Sequence, residues 1–416
     1  MNDVEEILRR TLGSASQNAP RMPAALPARL EAGYRRRRRR TFAQAVLAAA
    51  TVAVVAGGTV TVLPALRHGD VTAAVPSASR EATTDTPRAP EVSAWPLPDP
   101  VEKVWPDAVR KVAARGPGGT KLMPQAFIDD RTVLATTWSG FEKTNALYAY
   151  DLETGDLRKI SDVPIPGGTV TFASDFTVGA GLVTWWTGTK DHRVHLWTAP
   201  LAGGQATTVA DVEVRDEDGA GLDGLAIDSD RIVFSLVEGG VFTVPATGGT
   251  PQPVPGGEGQ HLLAWPWIGS PGIYSANDGS RFTTITNVET GESSVAVKGP
   301  GERGLSCGVR LCAGTRDEEE KSFFRLRDGL EEKELPVYDL MPDGLARERF
   351  LVASIRAEQA GRIVVLYDVT TGRSADLGPR TDKKGALQLP GVARDDRLLS
   401  YQLGDDLYIV DLAKIT

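Results

Sequence analysis

The chain has 416 residues with 46 basic and 54 acidic side chains, a net charge of −8, and 41% apolar content. The charge is unevenly spread: residues 1–40 hold ten arginines against four acids, so the remaining chain carries −14. An acidic main part repels phosphates, which excludes a nucleic-acid binder as its purpose, and its length suits a repeat architecture better than one simple core.

At the N-terminus Val4, Ile7, Leu8 and Leu12 share one face at helical spacing, with Asn2 or Asp3 placed to cap the start. So short a helix is marginal alone, and its apolar stripe is expected to dock on a cytoplasmic partner or lie on the membrane. Residues 1–40 contain no Cys or His, so a zinc-type domain is excluded there.

Arg35, Arg36, Arg37, Arg38, Arg39 and Arg40 abut residues 41–66, which carry no charge. A membrane helix needs about 20 such residues. Arginines are retained on the cytoplasmic side, so the chain after residue 66 is expected outside. A removable signal competes with an anchor: Arg39-Arg40-Thr41-Phe42 fits a twin-arginine core, and Val54-Val55-Ala56 offers small residues for cleavage. Against cleavage, the apolar run continues through Val60, Val62 and Leu66. An uncleaved single-pass anchor is therefore expected, followed over residues 67–100 by a stalk rich in Ala, Thr, Ser and Pro that buries too little to fold.

Residues 101–416 read as short β-branched or aromatic runs cut by Gly, Asp and Pro. A strand-turn unit recurs: Tyr148-Ala149-Tyr150-Asp151-Leu152-Glu153-Thr154-Gly155 is echoed at residues 284–291 and 365–372. A second form has Gly-Gly at residues 203–204 and 248–249. Residues 325–329 give a degenerate copy, and Asp411-Leu412 starts one that the terminus cuts short. Aligned on their first residues, the units begin at 151, 200, 245, 287, 325, 368 and 411. Earlier strands follow polar turns ending in Arg131, Arg231 and Arg397, in similar register to the units. Two landmarks at a period of about 40–45 residues predict an all-β, seven-bladed β-propeller rather than a solenoid. Residues 101–112, with a strand candidate around Val101 and Trp105, are expected to complete the last blade and close the ring.

The basic lead, apolar span, Pro-rich stalk and Asp-Leu-Glu-Thr-Gly turns together resemble actinobacterial single-pass membrane proteins with an extracytoplasmic TolB-like or WD-type propeller. That resemblance covers nearly the whole chain, and its motifs are architectural. It implies a fold and a topology, and by analogy a link to extracytoplasmic sigma-factor signalling.

Candidate chemistry is sparse. Cys307 and Cys312, the only cysteines, are expected to pair if the domain is exported, a free pair being the alternative; the resemblance implies a paired-cysteine hairpin as well. Gly304-Leu305-Ser306-Cys307-Gly308 matches a nucleophile pattern that needs a strand-to-helix turn, and no helix pattern follows it. His192 and His195 are spaced to point to opposite faces of a strand, which suits a shared metal poorly. Residues 275–282 are a loose relative of the Asp-box turn of sialidase-like propellers, but this one copy has Asn277 in place of the aspartate and reads as a structural β-turn. Acidic clusters at 216–218 and 317–320 lack a calcium-loop pattern and read as solvated hairpin tips. Trp185, Trp186, Trp265 and Trp267 suit core packing and a binding face equally.

The sequence therefore predicts no catalytic residue, metal or cofactor. It predicts a membrane-anchored propeller that binds an envelope protein or glycan and signals to a cytoplasmic regulator. A glycan lyase or hydrolase at the propeller channel is the alternative, and a purely structural envelope protein a third. The topology has a direct check: protease added to intact spheroplasts should degrade the chain beyond Arg67 and spare residues 1–40. Sparing of the large domain would reverse the orientation.

Overall fold

The computed structural model describes residues 96–416, apart from 117–118, 141–142, 216–220, 275–277, 317–320, 336–338, 341–343, 358–359, 383–386, 388–389 and 394–395. The expected docking face, arginine run and membrane span lie outside the described residues. Among the described residues no helix is long and apolar enough to cross a membrane.

The strands assemble into seven four-stranded antiparallel sheets. Six are sequential meanders: blade 1 (residues 122–162), blade 2 (169–213), blade 3 (222–253), blade 4 (261–295), blade 5 (302–335) and blade 6 (339–380). Blade 7 takes three strands from the C-terminus, Gly391–Val392, Leu398–Leu403 and Asp406–Asp411, and its outer strand, Val109–Ala113, from the start of the domain. Val109 pairs with Val410 and Ala113 with Asp406. The first strand of blade 1 packs against blade 7, so the ring closes and the chain is a seven-bladed β-propeller.

Alternation along each strand explains how the blades hold together. Successive side chains point to opposite faces of a sheet, and here both faces are buried against neighbours. In Gly361–Asp368 of blade 6, Val364 and Leu366 enter the cluster shared with blade 7, whereas Ile363 and Val365 enter the cluster shared with blade 5. In blade 3, Ile232 and Phe234 face blade 2 and Val233 faces blade 4. Each such side chain contributes about 1.5–3 kcal/mol when fully buried. The core is thus a circle of interfaces between sheets rather than one central mass.

Ring closure differs in detail from the expectation. Residues 101–105 are not a strand: Val101–Val104 is a helical turn, and the closing strand comes later, at Val109–Ala113. Val101 and Val104 are three apart, on one face of a helix, and Pro106 supplies no N–H to a ladder and opens a 3-10 turn. The propeller also begins before residue 101. Pro100 bridges to Asp376 in parallel, and the Asp376 N–H donates to the Asp99 carbonyl at 2.9 Å. Val101, Trp105, Ala108 and Val109 join Val364, Leu366, Tyr401 and Val410 in one core. The Arg373 guanidinium covers the Trp105 ring at 5.8 Å. The entering chain therefore fastens blade 6 to blade 7 before it starts blade 1. Replacing Trp105 with Ala should cost about 3–5 kcal/mol through lost burial and the cavity left behind. A shift in the urea midpoint of the propeller domain measures it.

Candidate functional site

The repeat landmarks turn out to be two halves of one contact. In blades 1, 6 and 7 the arginine just before the second strand reaches the carboxylate at the end of the third. Arg131 Nε donates to Asp151 Oδ2 at 2.7 Å. Arg349 grips Asp368 with two bonds of 2.9 and 2.7 Å, and Arg397 grips Asp411 with the same pair of distances. Each carboxylate also accepts backbone N–H groups of its turn: Glu153 and Thr154 on Asp151, Thr370 on Asp368, Ala413 on Asp411. Burial pushes the Asp368 carboxyl up, but the Arg349 guanidinium and Thr371 hydroxyl outweigh it and hold the group below the ordinary range. These clasps occupy blades 6, 7 and 1, the three around the closure. Arg397 extends one further, to Asp130 of blade 1 at 2.6 Å. In blade 3 Pro245 stands at the carboxylate position and Asp230 at the arginine's, since the Ala246 N–H bonds the Asp230 carbonyl; Arg231 lies one residue on, opposite Pro245, and pairs with Asp228.

A second polar region lies between blades 3, 4 and 5. Asp223, on the inner strand of blade 3, accepts from Ser235 Oγ at 2.6 Å and contacts His261 Nδ1, on the inner strand of blade 4, at 2.5 Å. Ser235 Oγ in turn accepts the Leu262 N–H at 3.0 Å. All three side chains are buried. A Cβ at Gly272 would sit 2.3 Å from the His261 ring, so only glycine lets the backbone pass there. Farther along the same connection, residues 278–281 run beside the inner strand of blade 5, Glu302–Cys307, and bond its free edge. The Arg281 N–H donates to the Leu305 carbonyl at 2.9 Å, and the Cys307 N–H to the Arg281 carbonyl at 3.2 Å. Cys307 faces Cys312 across the strands, and the two are bonded.

Arg327 closes this region. It is 4% exposed and donates to the carbonyls of Phe282, Thr283, Ser294 and Gly308 and to the Ser294 hydroxyl, at 2.8–3.1 Å. Burial pushes its guanidinium down to about 10. The sequence placed Arg327 in a degenerate repeat aligned on Arg325. The ladder instead puts Leu326 at the aligned position, since the Arg327 N–H bonds the Arg310 carbonyl just as the Leu152 N–H bonds that of Arg131. Arg325 itself is buried and makes a two-bond pair with Glu302, at 2.8 and 2.6 Å.

The remaining candidates fall elsewhere. Ser306 lies within an inner strand that continues into a hairpin, not a helix. His192 occupies the turn of a blade 2 hairpin with φ +60°. His195 contacts Asp211 through Nδ1 at 2.6 Å and Thr189 Oγ1 through Nε2 at 3.1 Å. That order of carboxylate, imidazole and hydroxyl is the one that activates a nucleophile. Thr189, however, is 6% exposed and its hydroxyl also donates to the Arg193 carbonyl, which turns its oxygen into the sheet. Sequence spacing could not show this cross-strand relay, because its members sit on three strands. Trp185 is fully buried, and Trp186 donates to Asp175 at 2.7 Å. Trp265 donates to Asp228 at 3.1 Å. The acidic clusters and residues 275–277 lie outside the described residues. Among the described residues, no three or more His, Cys, Asp or Glu side chains gather as metal ligands. A shallow pocket of about 50 Å³ at the seam of blades 7 and 1 is lined by opposed charges, including Arg110, Asp130, Arg131, Glu153 and Lys414. It has room for a few waters, far below the roughly 300 Å³ of a small-molecule site.

No family profile and no curated protein sequence matches the chain. Solved structures with a similar fold include YCF48 bound to a D1 peptide, at 9% identity and TM-score 0.45, with 77% of this chain and 99% of that one covered. A putative TolB from Agrobacterium tumefaciens aligns at 12% identity and TM-score 0.33, covering 70% of this chain and 89% of that one. An oligogalacturonate lyase in complex with manganese aligns at 12% and 0.31, covering 71% and 76%. Likeness this distant concerns the fold alone.

One charge in the second region gives a pH test. The Lys298 ammonium, then the Ser280 N–H, hold the Asp278 carboxyl down at about 2, below its ordinary 3.8. A depressed carboxyl stabilises the fold above its unfolded pKa, and the effect is lost as pH falls through the folded value. The stability difference between the native chain and Asp278→Asn should therefore be present at pH 7 and disappear between about pH 4 and 2. Urea titrations at a series of pH values measure it.

Proposed function

We propose that this chain is a membrane-anchored extracytoplasmic propeller acting as a non-catalytic binding or sensing scaffold, whose short inner segment signals to a cytoplasmic regulator. The observation that carries the scaffold reading is how the polar side chains are employed. Asp175, Asp223, His195, His261, Glu302 and Asp368 each hold a partner on a neighbouring strand, blade or turn. Groups held this way build a rigid surface, and a rigid ring presents its loops to a partner at little ordering cost. The anchor reading is supported by the arginine run and the uncharged span that follows it. An exported setting accords with the Cys307–Cys312 bond. The partner outside is an envelope protein or a glycan.

In-cell crosslinking and co-purification test this, comparing the full chain with one lacking residues 2–34. A cytoplasmic regulator captured by the full chain and lost from the truncated one is the expected result. Recovery of the same envelope partners by both, with no regulator, would leave the propeller as the working part and overturn the signalling role. Turnover of a captured glycan by the purified chain would overturn the non-catalytic one.

A further inference from the structure

The inner strand of a blade ends the sheet on the side of the propeller axis, where its outward backbone groups have no strand to pair with. In blade 5 this edge is covered from within the chain. Residues 278–281, from the connection between the second and third strands of blade 4, lie alongside it. The Gly304 N–H donates to the Asp278 carbonyl at 2.9 Å, and Arg281 bonds Leu305 and Cys307 on either side of Ser306. Ser280, Arg281 and Phe282 are consequently buried, at 5%, 9% and 6% exposure. Lys298 ties the start of the segment down through Asp278.

Two features bear on the same segment from the other side. The Cys307–Cys312 bond joins the strand end that Arg281 contacts to the next strand of blade 5. Arg327 then spans from the carbonyl of Gly308, the residue after Cys307, to those of Phe282 and Thr283. The contacts form a loop: Arg281 to Cys307 by a hydrogen bond, Cys307 to Gly308 along the chain, Gly308 to Arg327, and Arg327 back to Phe282. Apart from the chain itself, every link satisfies a backbone group in a buried or half-buried setting, where an unmade bond is costly. The segment cannot leave without breaking several at once.

We propose that the Cys307–Cys312 disulfide and Arg327 act together as a strap that holds residues 278–283 along the axis-side edge of blade 5, closing that edge to any other extended segment. The two cysteines are buried, at 3% and 1% exposure, so the strap is a fixture of the folded ring and not a sensor of bulk thiols. Arg327 is a positioning residue: a lysine there keeps the charge but lacks the fork that reaches several carbonyls at once.

Hydrogen exchange of the full chain, read by mass spectrometry, tests the strap in Arg327→Gln and in the double variant Cys307→Ser, Cys312→Ser. In both, peptides covering residues 278–283 and 302–308 should exchange at least about tenfold faster, while the inner strands of blades 1 and 2 keep their protection. Arg327→Lys should loosen the same peptides with the disulfide intact. Unchanged protection over 278–283 in the Arg327 variants would overturn the proposal. So would equal loss in all blades, which would make Arg327 a general support of the core. If the cysteine variant does not fold, the Arg327 variants, which keep the bond, decide the question alone.

Discussion

Closing a ring from a chain with two ends is the constraint on which the rest of this structure depends. Six blades are continuous meanders, but the seventh exists only because residues 109–113 pair with the C-terminal strands. Side-chain clasps gather at that place. Arg349–Asp368, Arg397–Asp411 and Arg131–Asp151 fall in the three blades around the closure, and Arg397 reaches across to Asp130. Arg349 also donates to the carbonyl of Ile415 at 2.9 Å, which fixes the end of the chain against blade 6. The same motif carries different weight by position. Asp368 is 1% exposed, and stranding it without Arg349 costs about 3–5 kcal/mol. Arg131 is 48% exposed, and solvent screening leaves its pair little weight in stability.

Much of this was legible in the residues because it repeats. The turn needs a side-chain oxygen, from Asp151, Asn287 or Asp368, to accept turn N–H groups, and a residue at positive φ, which Gly155, Gly291 and Gly372 supply at φ near +75°. Such demands recur with each blade and print a period on the sequence. In blades 1, 6 and 7 the arginine before the second strand serves the same turn and recurs with it. Blade number follows from that period, and the shortened last copy calls for an outer strand from the start of the domain, which the period does not place at Val109–Ala113.

What was not legible is what occurs once. A four-residue segment rich in valine reads as a strand, yet Val101–Val104 is helical because Pro100 and Pro106 bracket it and its two valines serve one face. The Asp223–Ser235–His261 contact joins two blades across 38 residues, and no local spacing marks it. Arg327 stands one position off the repeat pattern because blade 5 has a tight turn at Asp328-Gly329 where blades 1, 4 and 6 have the longer Asx turn. One residue of register decides whether an arginine points to solvent or into the interface.

Blade 5 shows why that one arginine matters. Its own apolar cluster is small, comprising Ala296, Leu305, Cys307, Cys312 and Phe323. Where the other interfaces stack valine and leucine, this one buries Glu302 against Arg325 and sets the Arg316 and Arg325 guanidiniums over the Phe323 ring at 4.9 and 4.7 Å. Ion pairs of this kind fix geometry well but, once desolvated, add little net stability. A blade built on them needs covalent and backbone support, and the disulfide and Arg327 provide it at the edge where residues 278–283 lie. The closure of the ring and the strap of blade 5 are thus two answers to one difficulty: a sheet edge that its own meander leaves unpaired.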